Sequence, residues 1–239
     1  RSSITYAKNI QTAILPSKKN VKRLLRESFI YYKPKDIVAG DFYWLQERNN
    51  KVLFAVADCT GHGVPGAMIS VVCNNALNRS VREYGVTEPG KILDKTREIV
   101  KEEFEKSGKE VNDGMDIALC SLEGNQLEYA GARIPIWIIR DGEIIEIKGD
   151  RQPIGKYGSQ KPYTTHTFNL QEGDLIYIFS DGFVDQFGGE KGKKFKIQPF
   201  RDLLLSVQEN NMYDQKTMIY KTFEDWKGDL EQIDDICVI

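Results

Sequence analysis

The sequence predicts an α+β layered sandwich, an antiparallel sheet core with helices on the outside. Two observations carry this prediction. Strand-like segments come first, then two long amphipathic helices, a run of strands, two more helices and a last strand; alternating βαβ units would order them differently. Two hairpin signals, Asn49-Asn50 and Asp141-Gly142, join neighbouring strand patterns and favour antiparallel pairing. The 239 residues, 41% hydrophobic and 28% charged, suffice for one large domain with a full core, or for two small ones.

The elements follow in order. Ile4, Ala7, Ile10, Ala13 and Ile14 recur at helical spacing until Pro16. The polar, basic run "SKKNVKRLL" reads as a linker. Residues 1–20 are therefore expected to be an N-terminal linker or signalling helix, and residues 27–239 the main domain. "SFIYYKP" is a first strand candidate, and "GDFYWLQERNNKVLFAVAD" a hairpin turning at Asn49-Asn50. Two helices should follow, one with Ala67, Val71, Ala76 and Val81 near one face, the other with Ile92, Leu93, Ile99, Val100 and Phe104. Gly85 and Gly108 suit their C-terminal stops. Strands are expected at "MDIALCSLE", "QLEYAGA", "IWIIRDGEIIEIK", "YTTHTFNL" and "DLIYIFSD". Helices around Pro199–Glu209 and Asp214–Trp226 precede a closing "IDDICVI". There are no internal repeats and no low-complexity segment.

Composition excludes several classes. The net charge is −2, with 33 Lys and Arg against 35 Asp and Glu, so no basic excess points to nucleic acid or an anionic membrane. No apolar run approaches the ~18 residues of a membrane span. The N-terminus has no signal-peptide core and no starting Met, so the chain is expected to be a cytoplasmic fragment of a longer protein, one that a segment upstream could tether to a membrane. Cys59, Cys73, Cys120 and Cys237 are far apart and read as reduced, buried, small hydrophobes. Two histidines and no close cysteine pair argue against zinc.

The chemistry lies in aspartates at strand ends. Asp41 enters a strand, Asp58 and Asp181 leave strands, and Asp234 enters the last one. Acids on several strand ends can converge on one rim of a sheet. Two carboxylates ~4 Å apart repel by about 4 kcal/mol at an effective dielectric of about 20, so four could stay ionised together only with cations between them. Carboxylate and water oxygens suit Mg²⁺ or Mn²⁺, and two divalent ions would balance the four charges. Such a pair can acidify a bridging water and clamp a phosphoryl group in line. The glycines of "ADCTGHGVPG" are then expected where the backbone passes close to the site. Any one of these aspartates alone is as well explained by a cap or a turn; the set, its order and its strand context carry the reading.

"GDFYW", "VADCTGHGVPGA", "YAGARIPIWIIRDGE", "QPIG", "SDGFVDQFGG" and "DDICVI" occur in this order. The chain thereby resembles the metal-dependent PPM-type serine/threonine phosphatases. It is most similar to the bacterial branch of the stage II sporulation protein E phosphatase and the stress-response phosphatases that act on anti-anti-sigma factors. The resemblance runs from about Glu27 to Ile239. It implies a four-layer α-β-β-α sandwich of two mainly antiparallel sheets, with two Mn²⁺ or Mg²⁺ ions on one rim. Carried over by motif, Asp58 touches both metals, the Cys59 carbonyl binds the first, Asp41 holds the pair, and Asp181 and Asp234 bind the second. Asp234 is chosen over Asp235 as the first acid of the final pair. Asp58 and Asp41 are the catalytic candidates, through direct attack of a metal-bridging hydroxide on phosphoserine or phosphothreonine.

Where eukaryotic members have a glycine after the bridging Asp, this chain has Cys59; only the carbonyl is needed. His62 stands near the position of their proposed general acid and is open as acid, phosphate neighbour or turn residue. Their phosphate-binding arginine has no clear match, and Lys35 or Lys33 is the candidate substitute. Asp113 and Asp116 are open between an extra metal and a strand start. The aromatic run Tyr31, Tyr32, Phe42, Tyr43 and Trp44 is assigned to strand core. Gly188–Lys196 is either solvated surface or a docking loop for a protein substrate. The expected partners are a phosphorylated protein, of anti-anti-sigma type in the resembling branch, and an upstream sensor. A second copy, pairing through the N-terminal helix, is a further candidate, although that helix could equally lie on its own domain. The alternatives are a pseudophosphatase that binds phosphoproteins without turnover and, more remotely, a two-metal phosphodiesterase or nuclease.

Overall fold

The computed structural model describes residues 2–106, 108 and 110–239. Two helices lead in, α1 (Ser2–Ile14) and α2 (Lys18–Leu24). Three strands follow, β1 (Tyr31–Lys33), β2 (Asp41–Arg48) and β3 (Lys51–Cys59), and then α3 (Gly63–Arg82) and α4 (Pro89–Glu105). The central strands are β4 (Met115–Glu123), β5 (Gln126–Ala132), β6 (Ile136–Arg140), β7 (Glu143–Ile147), β8 (His166–Asn169) and β9 (Leu175–Tyr177). A single turn, α5 (Gly182–Asp185), leads to a small hairpin of β10 (Phe187–Gly188) and β11 (Lys193–Lys194). The chain ends with α6 (Ile197–Ser206), α7 (Met212–Lys227) and β12 (Ile236–Val238).

One sheet has the order β2-β3-β4-β5-β8 and is antiparallel throughout. The other joins β7-β6-β9 to the β12-β1 pair. The joint is made where the chain beyond β9 bonds β12: Ile178 and Ile239 exchange amide–carbonyl bonds of 3.0–3.1 Å, and the Ser180 amide donates to the Cys237 carbonyl at 2.9 Å. Both hairpin turns sit at the expected residues. Asn49 and Asn50 have φ of 52° and 61°, Asp141 and Gly142 of 51° and 76°, as a two-residue turn with left-handed residues requires.

The period of two in the strands sorts side chains into three cores. Leu53, Ala55, Ala57 and Cys59 of β3 join Leu77, Ile92 and Leu93 under the first helix pair. Phe54 and Val56 point the other way and meet Ile136, Ile138, Ile178 and Cys237 between the sheets. Trp137 and Ile139 of β6 face Phe200, Leu204, Ile219 and Phe223 of the second pair. Three interlayer cores define four layers, α-β-β-α, as expected. Tyr31, Phe42 and Trp44 are buried, and Tyr32 packs edge-on to Tyr43 at 5.3 Å, so the aromatic run is strand core. All four cysteines are free and buried. No helix of the described residues is long and apolar enough to cross a membrane.

Two local differences have simple causes. The run after Pro16 is a helix, not a linker, because the Ser17 hydroxyl accepts the Asn20 amide at 3.2 Å and caps it. In α1 most of the apolar stripe stays exposed, Ile4 alone of it being half-buried. Ile10 and Ile14 are exposed, while Gln11 is the buried residue. Its amide nitrogen donates to the Ala39 carbonyl (2.6 Å) and to the Ser70 hydroxyl (3.2 Å), and its oxygen accepts the Ala39 amide (2.9 Å).

Candidate active site

Strand register builds the first half of the site. Asp41 of β2 lies opposite Asp58 of β3, and Asp58 lies opposite Asp116 of β4. Directly opposed residues share a face, and Asp58 follows Phe54 and Val56 in parity, so the three acids form a row on the inter-sheet face at one rim. The second sheet supplies the other half. Asp181 follows the strand that extends β9, and Asp234 precedes β12. Asp58, Cys59, Asp116, Arg133, Asp181 and Asp234 line one open cleft of about 310 Å³.

Crowding acids in a partly dry rim has the expected electrostatic result. The Asp58 carboxyl is pushed up to about 11, first by burial and then by the charges of Asp41, Asp181 and Asp234. Asp41, 1% exposed, is raised well above the carboxylate range, again first by burial. Asp116 rises to about 6, and Asp234 moves the same way, both from burial first. Asp41 Oδ2 is buried without a hydrogen-bond partner, which is costly unless something unseen satisfies it. A divalent cation would satisfy it and offset the repulsion. Among the described residues no three Asp, Glu, His or Cys side chains already converge as a closed ligand cage. Carbonyl and water oxygens would therefore complete the shell, as hard ions accept. The residues present fit a pair of hard divalent ions.

The two acids of the final pair do different things. Asp234 lines the cleft. Asp235, 1% exposed, accepts the amides of Lys35 (2.8 Å), Gly40 (2.7 Å) and Asp41 (3.3 Å) and so holds the loop that delivers Asp41. The role of Asp235 was not readable from its neighbours in sequence, because its partners lie 194 to 200 residues away.

The glycines divide likewise. Gly61 and Gly63 adopt left-handed φ of 80° and 61° and turn the chain from β3 into α3. The close approach is made instead at Gly40 and Gly66, where a Cβ would come within 2.5 and 2.6 Å of the Gly61 carbonyl oxygen. The close backbone approach therefore falls at Gly66 of the motif and at Gly40, which lies outside it before β2. Thr60 ties this turn to the start of β4, its amide bonding the Gly114 carbonyl at 2.9 Å and its hydroxyl accepting the Gly114 amide at 3.1 Å.

His62 is the N-cap residue of α3, makes no capping bond, and is exposed. Its Nδ1 lies 3.0 Å from Asp36 Oδ2, and Lys35 Nζ lies 3.3 Å from its Nε2. Lys33 is tied to Glu224 on α7 and sits over the Phe223 ring, which leaves Lys35 as the lysine beside this turn. Asp116 lines the cleft and Asp113 does not; nor does any of Gly188–Lys196. Neither Asp36 nor Arg133 is a candidate on sequence grounds, and Asp235 stands there only as the alternative to Asp234.

Fold and rim together define a PP2C-type phosphatase domain. The family model described as stage II sporulation protein E (SpoIIE) matches residues 48–239, and the chain belongs to that family. Phosphoserine phosphatase RsbU of Bacillus subtilis is 26% identical over 229 residues, covering 94% of this chain; the chain spans 64% of that relative's length. Among solved structures, the SiaA-PP2C domain of Pseudomonas aeruginosa is 34% identical, with a TM-score of 0.88 over 99% of this chain and 94% of that one. The catalytic domain of PstP, 16% identical, shares the fold at a TM-score of 0.62 over 88% of this chain and 94% of that one, and was solved with two manganese ions.

Proposed function

We propose that this domain hydrolyses phosphoserine or phosphothreonine on a partner protein, as the metal-dependent output domain of a bacterial signalling protein. The observation that carries the reading is the carboxylate row Asp41–Asp58–Asp116, of which Asp58 and Asp116 share one cleft with Asp181 and Asp234, while Asp41 is buried behind it with one oxygen left without a partner. Asp58, Asp41, the Cys59 carbonyl, Asp181 and Asp234 would hold two divalent cations, Mn²⁺ or Mg²⁺. When bound, these would acidify a water for in-line attack on phosphorus and offset charge on the phosphoryl oxygens. Hydrolysis cleaves the phosphorus–oxygen ester bond and returns the serine hydroxyl and inorganic phosphate. Lys35 and His62 stand together at the start of α3, outside the residues that line the cleft, and are the candidates to neighbour the phosphate and to protonate the leaving oxygen. The Asp36 carboxylate orients His62 for that task.

The name of the relative RsbU, a phosphoserine phosphatase, supports phosphoserine as the group hydrolysed; the resemblance to the stress-response branch supports a small anti-anti-sigma-type domain as the kind of substrate. The exposed stripe of α1 supports pairing with a second copy, and the Gln11 bonds to Ala39 and Ser70 offer an upstream sensor a direct hold on the Asp41 loop and on α3. The test is hydrolysis of p-nitrophenyl phosphate and of a phosphoserine peptide with and without Mn²⁺, with Asp58→Ala and Asp181→Ala beside the parent. Mn²⁺-dependent turnover lost in both variants is expected. A folded parent that binds no metal would overturn the reading in favour of a phosphoprotein-binding module. Removal of residues 1–18 with oligomeric state and regulation unchanged would overturn the role given to α1.

A further inference from the structure

One cation on the cleft has no task in the proposed hydrolysis. Arg133 lies in the turn between β5 and β6 at φ +66°, a left-handed conformation that costs a non-glycine residue energy. Such strain persists only where the surroundings over-determine it, and it clusters at functional sites. Here the surroundings do so on several sides. The Arg133 amide donates to the Asp150 carbonyl at 2.9 Å, and the Asp150 amide donates to the Gly131 carbonyl at 2.8 Å. The Tyr129 hydroxyl donates to the Ile134 carbonyl. Gly149 packs so closely that a Cβ would stand 2.7 Å from the Gly131 carbonyl. The direction in which the side chain leaves the backbone is therefore fixed.

It leaves into the acid cleft. Arg133 lines that space with Asp58, Asp181 and Asp234. Its Nη1 is 3.9 Å from Asp116 Oδ1, and its guanidinium carbon is 5.4 Å from the centre of the Tyr157 ring. The side chain is 44% exposed and that of Asp116 35% exposed. An ion pair this long and this wet is weak. Asp116 and Tyr157 thus orient the guanidinium without consuming its donors. Lys156, also on the cleft wall, differs in being paired with Glu110.

We infer that Arg133 is the phosphoryl-binding arginine of this site, its fork donating to two non-bridging oxygens of the phosphomonoester. The inference rests on the phosphatase reading above. A phosphomonoester dianion entering a rim of aspartates meets repulsion. A planar guanidinium, held by its own backbone and backed by an aromatic ring, offers two parallel N–H donors that match a phosphate edge. The substrate then takes the place of Asp116 as the partner of the guanidinium.

The left-handed backbone makes the test clean. Arg133→Gly deletes the side chain while easing φ +66°, and Arg133→Lys keeps the charge but loses the fork. Binding of inorganic phosphate to the Mn²⁺-loaded protein is measured by calorimetry, beside the KM for p-nitrophenyl phosphate and the affinity for Mn²⁺ itself. Arg133→Gly should weaken phosphate binding by about ten- to hundredfold, the range that hydrogen bonds to a charged group command, and raise KM with it. Arg133→Lys should recover only part of the loss. Mn²⁺ affinity and melting temperature should not fall. Unchanged phosphate binding in Arg133→Gly would overturn the inference, as would a parallel fall in Mn²⁺ affinity. A parent that binds phosphate through Arg133 yet turns over no ester would keep this inference and remove the enzymatic reading, so the two failures are distinguishable.

Discussion

Removing metal from this domain should make its stability fall as pH rises. The ordinary carboxyl value of 3.8 becomes about 11 for Asp58 in the fold, chiefly through burial and then through Asp41 and Asp181. Between those values the folded state holds a proton that the unfolded chain has released. Unfolding therefore releases a proton, and each rise of one pH unit lowers stability by at most about 1.4 kcal/mol per carboxyl. From pH 5.5 to 8.0 the ceiling for Asp58 alone is about 3 kcal/mol, or a fall in melting temperature of roughly 6–12 °C for a chain of this size. The window stays above the range in which Asp174, Glu83, Glu103 and Glu110, all lowered by basic partners, begin to take up protons. Cations and protons compete for the same oxygens, so Mn²⁺ should raise the melting temperature more at pH 8.0 than at pH 5.5. Scanning calorimetry in chelator and in excess Mn²⁺, at both pH values, measures all four quantities. Asp58→Asn should flatten the metal-free slope. A metal-free protein that becomes more stable from pH 5.5 to 8.0, or a Mn²⁺ shift equal at both, would refute the claim that this rim is a site of uncompensated carboxylates.

Three further outcomes are expected. Asp235→Ala strips three backbone amides of a charged acceptor and should cost about 3–5 kcal/mol in urea unfolding; a loss under 1 kcal/mol, with Mn²⁺ affinity intact, would show that the clamp does not hold the Asp41 loop. Trp137→Ala empties a fully buried site packed 4.7 Å from Phe179 and should cost about 3–5 kcal/mol, read from the urea midpoint, with Mn²⁺ affinity little changed in the protein that still folds. Gln11→Ala leaves the Ala39 amide and carbonyl without their partner and should cost about 1–3 kcal/mol; hydrogen exchange should rise in α1 and at Ala39 together, and exchange confined to α1 would deny the link to the Asp41 loop.

Much of the site could be read from strand grammar. The alternation of residues 53–59 assigns odd positions to the helix side and even ones to the gap between sheets, so the direction of Asp58 follows from Phe54 and Val56. Asn49-Asn50 then sets the β2–β3 register, and Asp41 comes opposite Asp58. The remainder depends on contacts far apart in the chain. Nothing around Asp235 shows that its oxygens meet the amides of Lys35 and Gly40. The conformation of Arg133 depends on Asp150 and Gly149 rather than on its own neighbours. The lead-in helix pattern correctly placed α1, but its apolar stripe, taken alone, gives no hint that a glutamine faces the domain.

The same geometry explains why the acids are divided between two sheets. Asp41, Asp58 and Asp116 lie in strands of one sheet, whereas Asp181 and Asp234 lie just beyond strand ends of the other. Within either sheet alone the register is fixed by backbone hydrogen bonds, and no ion could alter it. Across the gap the sheets meet through apolar side chains, which resist separation but set no polar register of their own. At this rim Asp235, joining the start of β12 to the loop before β2, and the Tyr32 hydroxyl, donating to the Asp41 carbonyl at 2.8 Å, supply that register, and Gly182 allows the approach, since a Cβ there would lie 1.9 Å from the Asp235 carbonyl oxygen. Cations held by acids of both sheets would strengthen the same joint. The Asp41 loop is also where Gln11 of α1 reaches the domain, through Ala39. On the function proposed here, a displacement of α1 would act on this joint through the Asp41 loop, where a small shift of Asp41 would change how well both sheets can share an ion.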